Sequence, residues 1–218
     1  MSYDEIWKKP EPHYKSEFPE EVLNLFKKSK AKRILDLGSG DGTNMILLAK
    51  ENFETFGLEI SSTGVEKTKE MASQTNVNVN IQQGDIYQSL PFSEKYFDAV
   101  IGLQSLNHNT LPEILKLFKE IYRVLKKKGL FCIKIADRES YNLKKIENNI
   151  YMDTDYNEKF KFLDEQTYLS IEGKEKGIIH YAFYKKQLEG LVIRTGFELL
   201  SSERLKWHIL AIFKKKNK

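Results

Sequence analysis

The sequence predicts an α/β fold in which a mostly parallel sheet carries helices on both faces. Short apolar segments alternate with helical patterns as far as Ala136, which is the order that parallel strands require. A loop with glycine at every second position, from Gly38 to Gly42, follows the first strand. The last two predicted strands leave no room for a helix between them, so they should pair antiparallel at the edge of the sheet.

The individual elements follow from local patterns along the chain. An amphipathic helix should follow Pro19, because Val22, Leu25 and Phe26 lie on one side of it. Apolar runs and helical periodicity then predict strands at 34–37, 55–60, 77–82, 98–103, 130–136, 198–205 and 207–213, and helices at 20–29, 45–51, 62–73, 111–127 and 184–195.

The helix at 111–127 has the clearest signals of the chain. Thr110 and Glu113 have the spacing of a capping box, and Gly129 is expected to stop the helix. The lysines at 126–128 would then complement the helix dipole, and those at 214–216 would form a solvated tail. These explanations account for the mild net charge of +4 without a nucleic-acid patch, which usually needs Lys and Arg clustered on one face.

The segment 138–183 breaks the alternation, because it is rich in tyrosine and charge but has little periodicity. We predict that it is a cap inserted before the last helix and strand pair. The length of 218 residues fits a single domain, 1–218, whose residues 1–30 form an N-terminal helical segment.

Composition also bears on the cellular setting. Cys132 is the single cysteine and lies in a predicted buried strand, so it should fill the core and no internal disulfide can form. No apolar run approaches the roughly 18 residues that span a bilayer, and the N-terminus lacks the pattern of a secretion signal. We therefore expect a cytoplasmic protein, monomeric or homodimeric, with no membrane partner and no metal site.

The glycine loop predicts a ligand site at the carboxyl ends of the strands. Gly38 and Gly40 allow the backbone to approach a ligand closely. Asp36 and Asp41 flank the loop and disfavour a phosphate, although a helix start would otherwise attract one. Glu59 ends the second strand, where a carboxylate can accept from two ribose hydroxyls. A cationic ligand with hydroxyl groups fits this set best.

The third and fourth strands end in further polar groups. Asp85 could accept from an exocyclic amine, and Ile86 could pack against a base. Gln104 to His108 follow the fourth strand. With these residues the sequence resembles the class I S-adenosylmethionine-dependent methyltransferases. The resemblance covers roughly residues 31–137 and is carried by 35–42, Glu59, 84–85, 97–100 and 125–131.

The resemblance implies a fold, a cofactor and a set of binding residues. The fold would be a Rossmann-like, doubly wound sheet of about seven strands with an antiparallel C-terminal edge strand. S-adenosylmethionine would lie with its methionine part on the glycine loop and near Asp36, its ribose on Glu59 and its reactive methyl beside Gln104. Trp7 and Tyr14 could fold over it as an N-terminal lid, or belong to a loosely docked arm. The implied cofactor residues are Tyr14, Asp36, Gly38, Ser39, Gly40, Glu59, Ile60, Asp85, Ile86 and Gln104.

The reaction implied is an in-line displacement of methyl from sulfur by a nucleophile of the acceptor. Holding the two in a near-attack arrangement is the main requirement, so no fixed catalytic residue is demanded. A general base helps only a protonated acceptor, and the candidates are His108 and His180, for which structural roles are the alternative. The loop 104–107 and the position of Cys132 differ from the motifs of base N- and C5-methyltransferases, so a small-molecule acceptor is expected.

Three other functions stay open at this point. The acceptor could be RNA or protein. A nicotinamide-dependent oxidoreductase would use a similar loop, but Thr43 replaces the third glycine of that pattern and Asp41 would face the pyrophosphate. A non-catalytic nucleotide-binding module could keep the fold alone, although it would have less need for the intact acids.

Overall fold

A computed structural model describes residues 3–7, 18–155, 158–173 and 175–217; Tyr14 lies outside these residues. The first elements are α1 (Tyr3–Trp7), α2 (Glu20–Ser29), β1 (Arg33–Leu37), α3 (Thr43–Lys50), β2 (Glu54–Glu59), α4 (Ser62–Gln74), β3 (Asn80–Gln83), β4 (Phe97–Leu103), α5 (Leu111–Val124) and β5 (Leu125–Ala136). They are followed by β6 (Leu143–Glu147), β7 (Ile150–Asp153), β8 (Glu158–Phe162), β9 (Thr167–Ser170), β10 (Ile179–Tyr181), α6 (Lys185–Arg194), β11 (Phe197–Arg204) and β12 (His208–Lys215).

Seven strands form the main sheet in the order β11-β12-β5-β4-β1-β2-β3. The five strands β5, β4, β1, β2 and β3 run parallel to one another. Strand β12 runs antiparallel to both of its neighbours, β5 and β11. These findings confirm the predicted α/β fold with its antiparallel strand pair at one edge. The C-terminal strand β12 lies one place in from that edge, because it is buried along most of its length whereas β11 is largely exposed.

Helices cover both faces of this sheet, and each face has its own apolar core. Neighbouring residues of β1 point to opposite faces: Leu35 belongs to the core that contains Ile114 of α5 and Leu188 of α6, and Ile34 belongs to the core that contains Phe26 of α2. Cys132 is fully buried in the α2 core, and burial raises the pKa of its thiol, in agreement with its predicted role as core filler. In the described part of the chain, no helix combines the length and apolarity that crossing a bilayer requires.

Both ends of α5 differ from the prediction. The predicted capping box is wrong, because the Thr110 side chain makes no cap hydrogen bond and the Glu113 carboxylate accepts from Lys116 Nζ at 2.7 Å. The helix ends at Val124 rather than at residue 127, because Leu125 is already extended and pairs with Phe97 in the sheet. At Leu125, hydrogen bonding to the neighbouring strand therefore decides the backbone conformation, although the local sequence pattern is helical.

The two lysine runs are also placed differently from the prediction. Lys126 belongs to β5 and donates to Asp98 Oδ1 at 2.7 Å, so it does not stabilise a helix end. Lys215 is only 6% exposed, and its ammonium donates to the backbone carbonyls of Tyr122 and Leu125 at 2.5 and 2.7 Å. The C-terminal run therefore reaches into the sheet and caps carbonyls at the end of α5.

The segment predicted as an irregular cap contains a second sheet. Five antiparallel strands pair in the order β10-β9-β8-β7-β6. A parallel bridge between Asp137 and Phe183, which lie just outside these strands, joins the two ends of the segment. Tyr168 lies in its core with Phe160 and Phe162, and its hydroxyl lies 2.7 Å from that of the partly buried Tyr141. The weak periodicity of the segment did not reveal these strands, although β8, Glu-Lys-Phe-Lys-Phe, alternates charged and apolar residues from Lys159 onward.

Candidate functional site

A cavity lies where the order of strands reverses, between the carboxyl ends of β1 and β4. In an open α/β sheet this is the place where connections leave toward opposite sides and open a crevice. The walls come from the loops after β1, β3 and β4, the end of β2, helix α1 and one residue of the cap. The lining residues are Tyr3, Ile6, Trp7, Gly38, Ser39, Gly40, Asp41, Thr43, Asn44, Glu59, Ile60, Asp85, Ile86, Tyr87, Leu103, Gln104, Ser105, His108 and Glu175.

The glycine loop forms the floor of this cavity and touches two other segments. Gly38 has a φ of 69°, and a Cβ there would lie 2.5 Å from the Cβ of Ser105 in the loop after β4. The Ser105 hydroxyl donates to the Leu37 carbonyl at 2.5 Å, which holds the two loops together. Gly40 has a φ of 60°, and a Cβ there would overlap the ring of Trp7. Both positions therefore need glycine for close packing as well as for their backbone conformation.

Glu59 connects the glycine loop to β2 and α4. Its carboxylate is 4% exposed and accepts backbone N–H groups from Gly40 at 2.8 Å and Ser61 at 2.9 Å. Burial raises the pKa of Glu59, while the backbone hydrogen bonds oppose that shift. Each carboxylate oxygen has a further lone pair, and the side chain lines the cavity, so it can still accept from ligand hydroxyls. Ile60 lies next to it with 39% of its surface exposed.

The turn after β3 forms a second wall. Asp85 Oδ1 accepts from the Tyr87 backbone N–H at 2.8 Å, and Oδ2 lies 3.4 Å from Gln88 Nε2. The next side chain, Ile86, is buried and provides an apolar surface. The turn thus offers one carboxylate and one flat apolar contact in neighbouring positions.

Asp36 and Ser39 carry buried polar atoms that have no hydrogen-bond partner among the described residues. Asp36 is 2% exposed and lies outside the lining of the cavity, whereas Ser39 lines it. Burial raises the pKa of Asp36 to about 8, and the charges of Glu59 and Asp41 add to the shift. The Asp36 carboxyl is therefore largely protonated at pH 7 when the cavity holds no cation.

Gln104 is held by contacts outside the cavity that it lines. Its φ is 67°, and its backbone N–H donates to the Lys134 carbonyl at 2.7 Å. Its Nε2 lies 3.0 Å from Nε2 of His208. Burial, together with the charge of Lys134, lowers the pKa of His208 to about 4, so the ring is neutral, and Nε2 accepts this hydrogen bond in the tautomer that carries its proton on Nδ1. The sequence could have revealed His208, because an antiparallel last strand begins where its parallel neighbours end.

Two distant histidines meet at one side of the cavity. The ring centroids of His108 and His180 are 4.7 Å apart, and Glu175 Oε2 lies 3.4 Å from His180 Nε2. Burial lowers the pKa of both rings, that of His180 to about 3. His108 and Glu175 line the cavity, while His180 lies behind them, stacked on Tyr168. Glu175 was not predicted from the sequence, because no motif around it in the chain indicates a site.

Helix α1 forms one wall of the cavity. Tyr3, Ile6 and Trp7 line it, and the Tyr3 ring stacks on His108 with centroids 6.1 Å apart. Asp4 Oδ1 accepts from the Ser61 hydroxyl at 2.7 Å, which attaches α1 to the start of α4 and lowers the pKa of Asp4. Trp7 thus lies where a lid was predicted, whereas Tyr14 lies outside the described residues.

Comparisons with known proteins show which proteins this chain resembles. A family model described as a methyltransferase domain matches residues 28–189. The uncharacterized methyltransferase YcgJ of Bacillus subtilis (strain 168) is 31% identical over 102 residues, 46% of this chain and 39% of that protein. Three such matches span only 39–48% of the curated relatives' own length.

Two further relatives match nearly the whole chain. The carboxy-S-adenosyl-L-methionine synthase of Nautilia profundicola is 26% identical over 216 residues, 97% of this chain and 88% of that one. The crystal structure of the PH0226 protein from Pyrococcus horikoshii OT3 aligns with a TM-score of 0.73 at 26% identity, covering 98% of this chain and 95% of that one.

Proposed function

Because the chain belongs to the class I S-adenosylmethionine-dependent methyltransferase family, we propose that it transfers the methyl group of this cofactor to a small-molecule acceptor. The observation that carries the proposal is the union, in one cavity, of the glycine loop, Glu59, Asp85 and the loop after β4. These groups suit a ligand with hydroxyls, an adenine and cationic centres.

The charge of the cavity supports this ligand over a dinucleotide. Its lining includes Asp41, Glu59, Asp85 and Glu175, and no Lys or Arg is among the described lining residues. Carboxylates close to a sulfonium and an ammonium attract both, whereas they repel a pyrophosphate or a nucleic-acid backbone. The nicotinamide-dependent and nucleic-acid alternatives are correspondingly disfavoured.

The proposed position of the cofactor follows from the walls. Its methionine part would lie along Gly38 to Gly40 and beside Gln104, with Ser39 Oγ as a free polar contact. Its ribose would bind Glu59 next to Ile60, and its adenine would lie between Asp85 and Ile86. Asp36, which lies outside the lining of the cavity, would attract the ammonium electrostatically without direct contact, because the ammonium favours the ionised form of its carboxyl.

The reaction needs little besides this arrangement. The acceptor's nucleophilic atom attacks the methyl carbon, the C–S bond breaks, and its electron pair stays on sulfur. We propose that α1 keeps water out, since the ring of Trp7 lies directly on Gly40. His108 and His180 stay predictions as proton acceptors, and their lowered pKa values make them weak bases.

The acceptor would enter at the side formed by His108, Glu175 and α1. Tyr3, which stacks on His108, and Glu175 of the cap bound this side of the cavity. An enclosed pocket suits a small acceptor better than an RNA strand or a protein surface. The cytoplasmic location and the monomeric or homodimeric state stay predictions from the sequence.

Calorimetric titration tests the proposal. S-adenosylmethionine and S-adenosylhomocysteine are expected to bind, and NADH is not. Glu59→Gln should weaken binding about tenfold or more, since hydrogen bonds to a charged group contribute roughly 1.5–3 kcal/mol. The matched control is Glu66→Gln on the exposed side of α4. Binding of NADH alone, or equal affinities in the two variants, would contradict the proposal.

A further inference from the structure

The cluster at the acceptor side has the composition of a metal site. One ligand atom each from His108, Glu175 and His180 lies within 4.8 Å of the other two, and these residues come from the loop after β4 and from the cap. His180 Nε2 is buried and has no hydrogen-bond partner among the described residues, although Glu175 Oε2 lies 3.4 Å away. A buried nitrogen left in this way is costly unless something binds it.

The spacing of these groups matches a tetrahedral ion. Zinc binds imidazole nitrogens and carboxylate oxygens at about 2.0–2.1 Å, which puts neighbouring ligand atoms roughly 3.3 Å apart and two imidazole centroids roughly 5 Å apart. The observed separations are 3.4 Å between His180 Nε2 and Glu175 Oε2 and 4.7 Å between the ring centroids of His108 and His180. All three ligand atoms lie within 4.8 Å of one another, so the more distant ones would have to move toward the ion by side-chain rotation when it binds.

We propose that His108, Glu175 and His180 bind one divalent transition-metal ion of the zinc type at the acceptor end of the cavity. Two imidazoles and one carboxylate are the ligands of an open, catalytic zinc site, in which the fourth position is left for water or substrate. This differs from the expectation of no metal, because the three ligands are brought together only by the packing of the cap on the sheet.

The surroundings prepare the ligands for an ion. The ring of His180 stacks on Tyr168 with an interplanar angle of 7° and a centroid distance of 5.0 Å, which fixes its orientation. Tyr168 is in turn held by the hydroxyl of Tyr141 at 2.7 Å.

A role in the reaction follows, and this part rests on the proposed function. His108 and Glu175 line the cavity, so the open position would face the acceptor. An acceptor hydroxyl bound there would release its proton to the buffer more readily, because a metal ion lowers the pKa of a bound oxygen. The resulting oxyanion would attack the methyl carbon, and the C–S electron pair would pass to sulfur.

Direct metal binding tests the site independently of methyl transfer. The full chain, stripped with a chelator and dialysed, is titrated with Zn²⁺ by calorimetry and with Co²⁺ by visible absorption. We expect one ion per chain and the intense d–d bands of a four- or five-coordinate Co²⁺ site. Glu175→Gln and His180→Gln should each lower the affinity at least about tenfold. The control His208→Gln removes a half-buried histidine outside the cluster and should retain the ion.

S-adenosylhomocysteine binding separates the possible failures. A chain that binds S-adenosylhomocysteine but no ion, or variants that bind the ion as tightly as the unmodified chain, would overturn the metal site and leave the methyltransferase proposal intact. Stoichiometric metal without S-adenosylhomocysteine binding would support the site and count against the proposed function. If His180→Gln does not fold, Glu175→Gln decides, since Glu175 lies in a loop of the cap.

Discussion

Asp36→Asn is expected to stabilise the ligand-free protein at neutral pH. The carboxyl of Asp36 is 2% exposed, and one of its oxygens has no hydrogen-bond partner among the described residues. Its pKa is about 8 in the folded chain, against an ordinary value of 3.8. Asparagine has nearly the shape of the protonated acid and carries no charge at any pH.

The size of the effect follows from proton linkage. Between pH 4 and pH 8 the folded chain binds a proton at Asp36 that the unfolded chain has lost. The stability provided by this proton is complete below pH 4, falls by about 1.4 kcal/mol per pH unit above it, and is gone once the pH has risen through 8. At pH 7 the loss is about 4 kcal/mol relative to pH 4, and the asparagine variant does not incur it.

Urea denaturation from pH 4 to pH 8 measures this difference. The two proteins should have similar unfolding free energies near pH 4, and the variant should become progressively more stable toward pH 8. Glu66→Gln, at an exposed position of α4, is the control for the loss of an acid. Parallel pH curves for the unmodified chain and Asp36→Asn would refute the reasoning, because they would mean that Asp36 is already ionised in the folded chain.

The same residue links proton release to cofactor binding. An ammonium group near Asp36 favours its ionised form, so binding of S-adenosylmethionine at pH 7 should release a proton from the unmodified chain and none from Asp36→Asn. Calorimetry in buffers of different ionisation enthalpy counts these protons. Equal release by both proteins would place the ammonium away from Asp36.

Two further predictions concern the glycine loop and the lid. Gly38→Ala should destabilise the fold by about 2–4 kcal/mol, because the φ of Gly38 is 69° and the added Cβ would meet Ser105. The control Gly190→Ala in α6 places its Cβ in open space and should not destabilise the fold. Equal unfolding free energies for the two variants would contradict the prediction. Trp7→Ala should speed S-adenosylhomocysteine dissociation about tenfold, since losing ~1.4 kcal/mol of contact has that effect. Stopped-flow kinetics measures the rate, and Trp207→Phe is the aromatic control; an unchanged rate for Trp7→Ala would mean that α1 is no lid.

The main sheet was predictable because its signals are local. Apolar runs such as 98–103 and the glycines after β1 depend on neighbours in the sequence, and each corresponds to an element of the structure, whereas Gly129, expected to stop α5, lies inside β5. The errors occur where a distant partner decides. Leu125 continues the helical pattern but pairs with Phe97, and Lys215 lies in a lysine run but reaches two carbonyls of another segment.

The site divides in the same way. Because the carboxyl ends of parallel strands meet at one edge, the sequence was sufficient to predict that Gly38, Glu59 and Asp85 surround one cavity. The contact between Gln104 and His208 was not predicted, although an antiparallel last strand begins where its parallel neighbours end and so places His208 near Gln104. Asp36 also needed the structure, because the sequence does not reveal how completely the loop buries it.

The sequence by itself determined the α/β class, the glycine loop and the acids at the strand ends, since each of these is written in neighbouring residues. Only the tertiary structure decided which side chains meet at the cap side of the cavity. The cap folds into its own sheet and brings Glu175 and His180 against His108, and α1 covers the loop with Trp7. Contacts of this kind depend on how separate units pack against one another, and no local pattern encodes that packing.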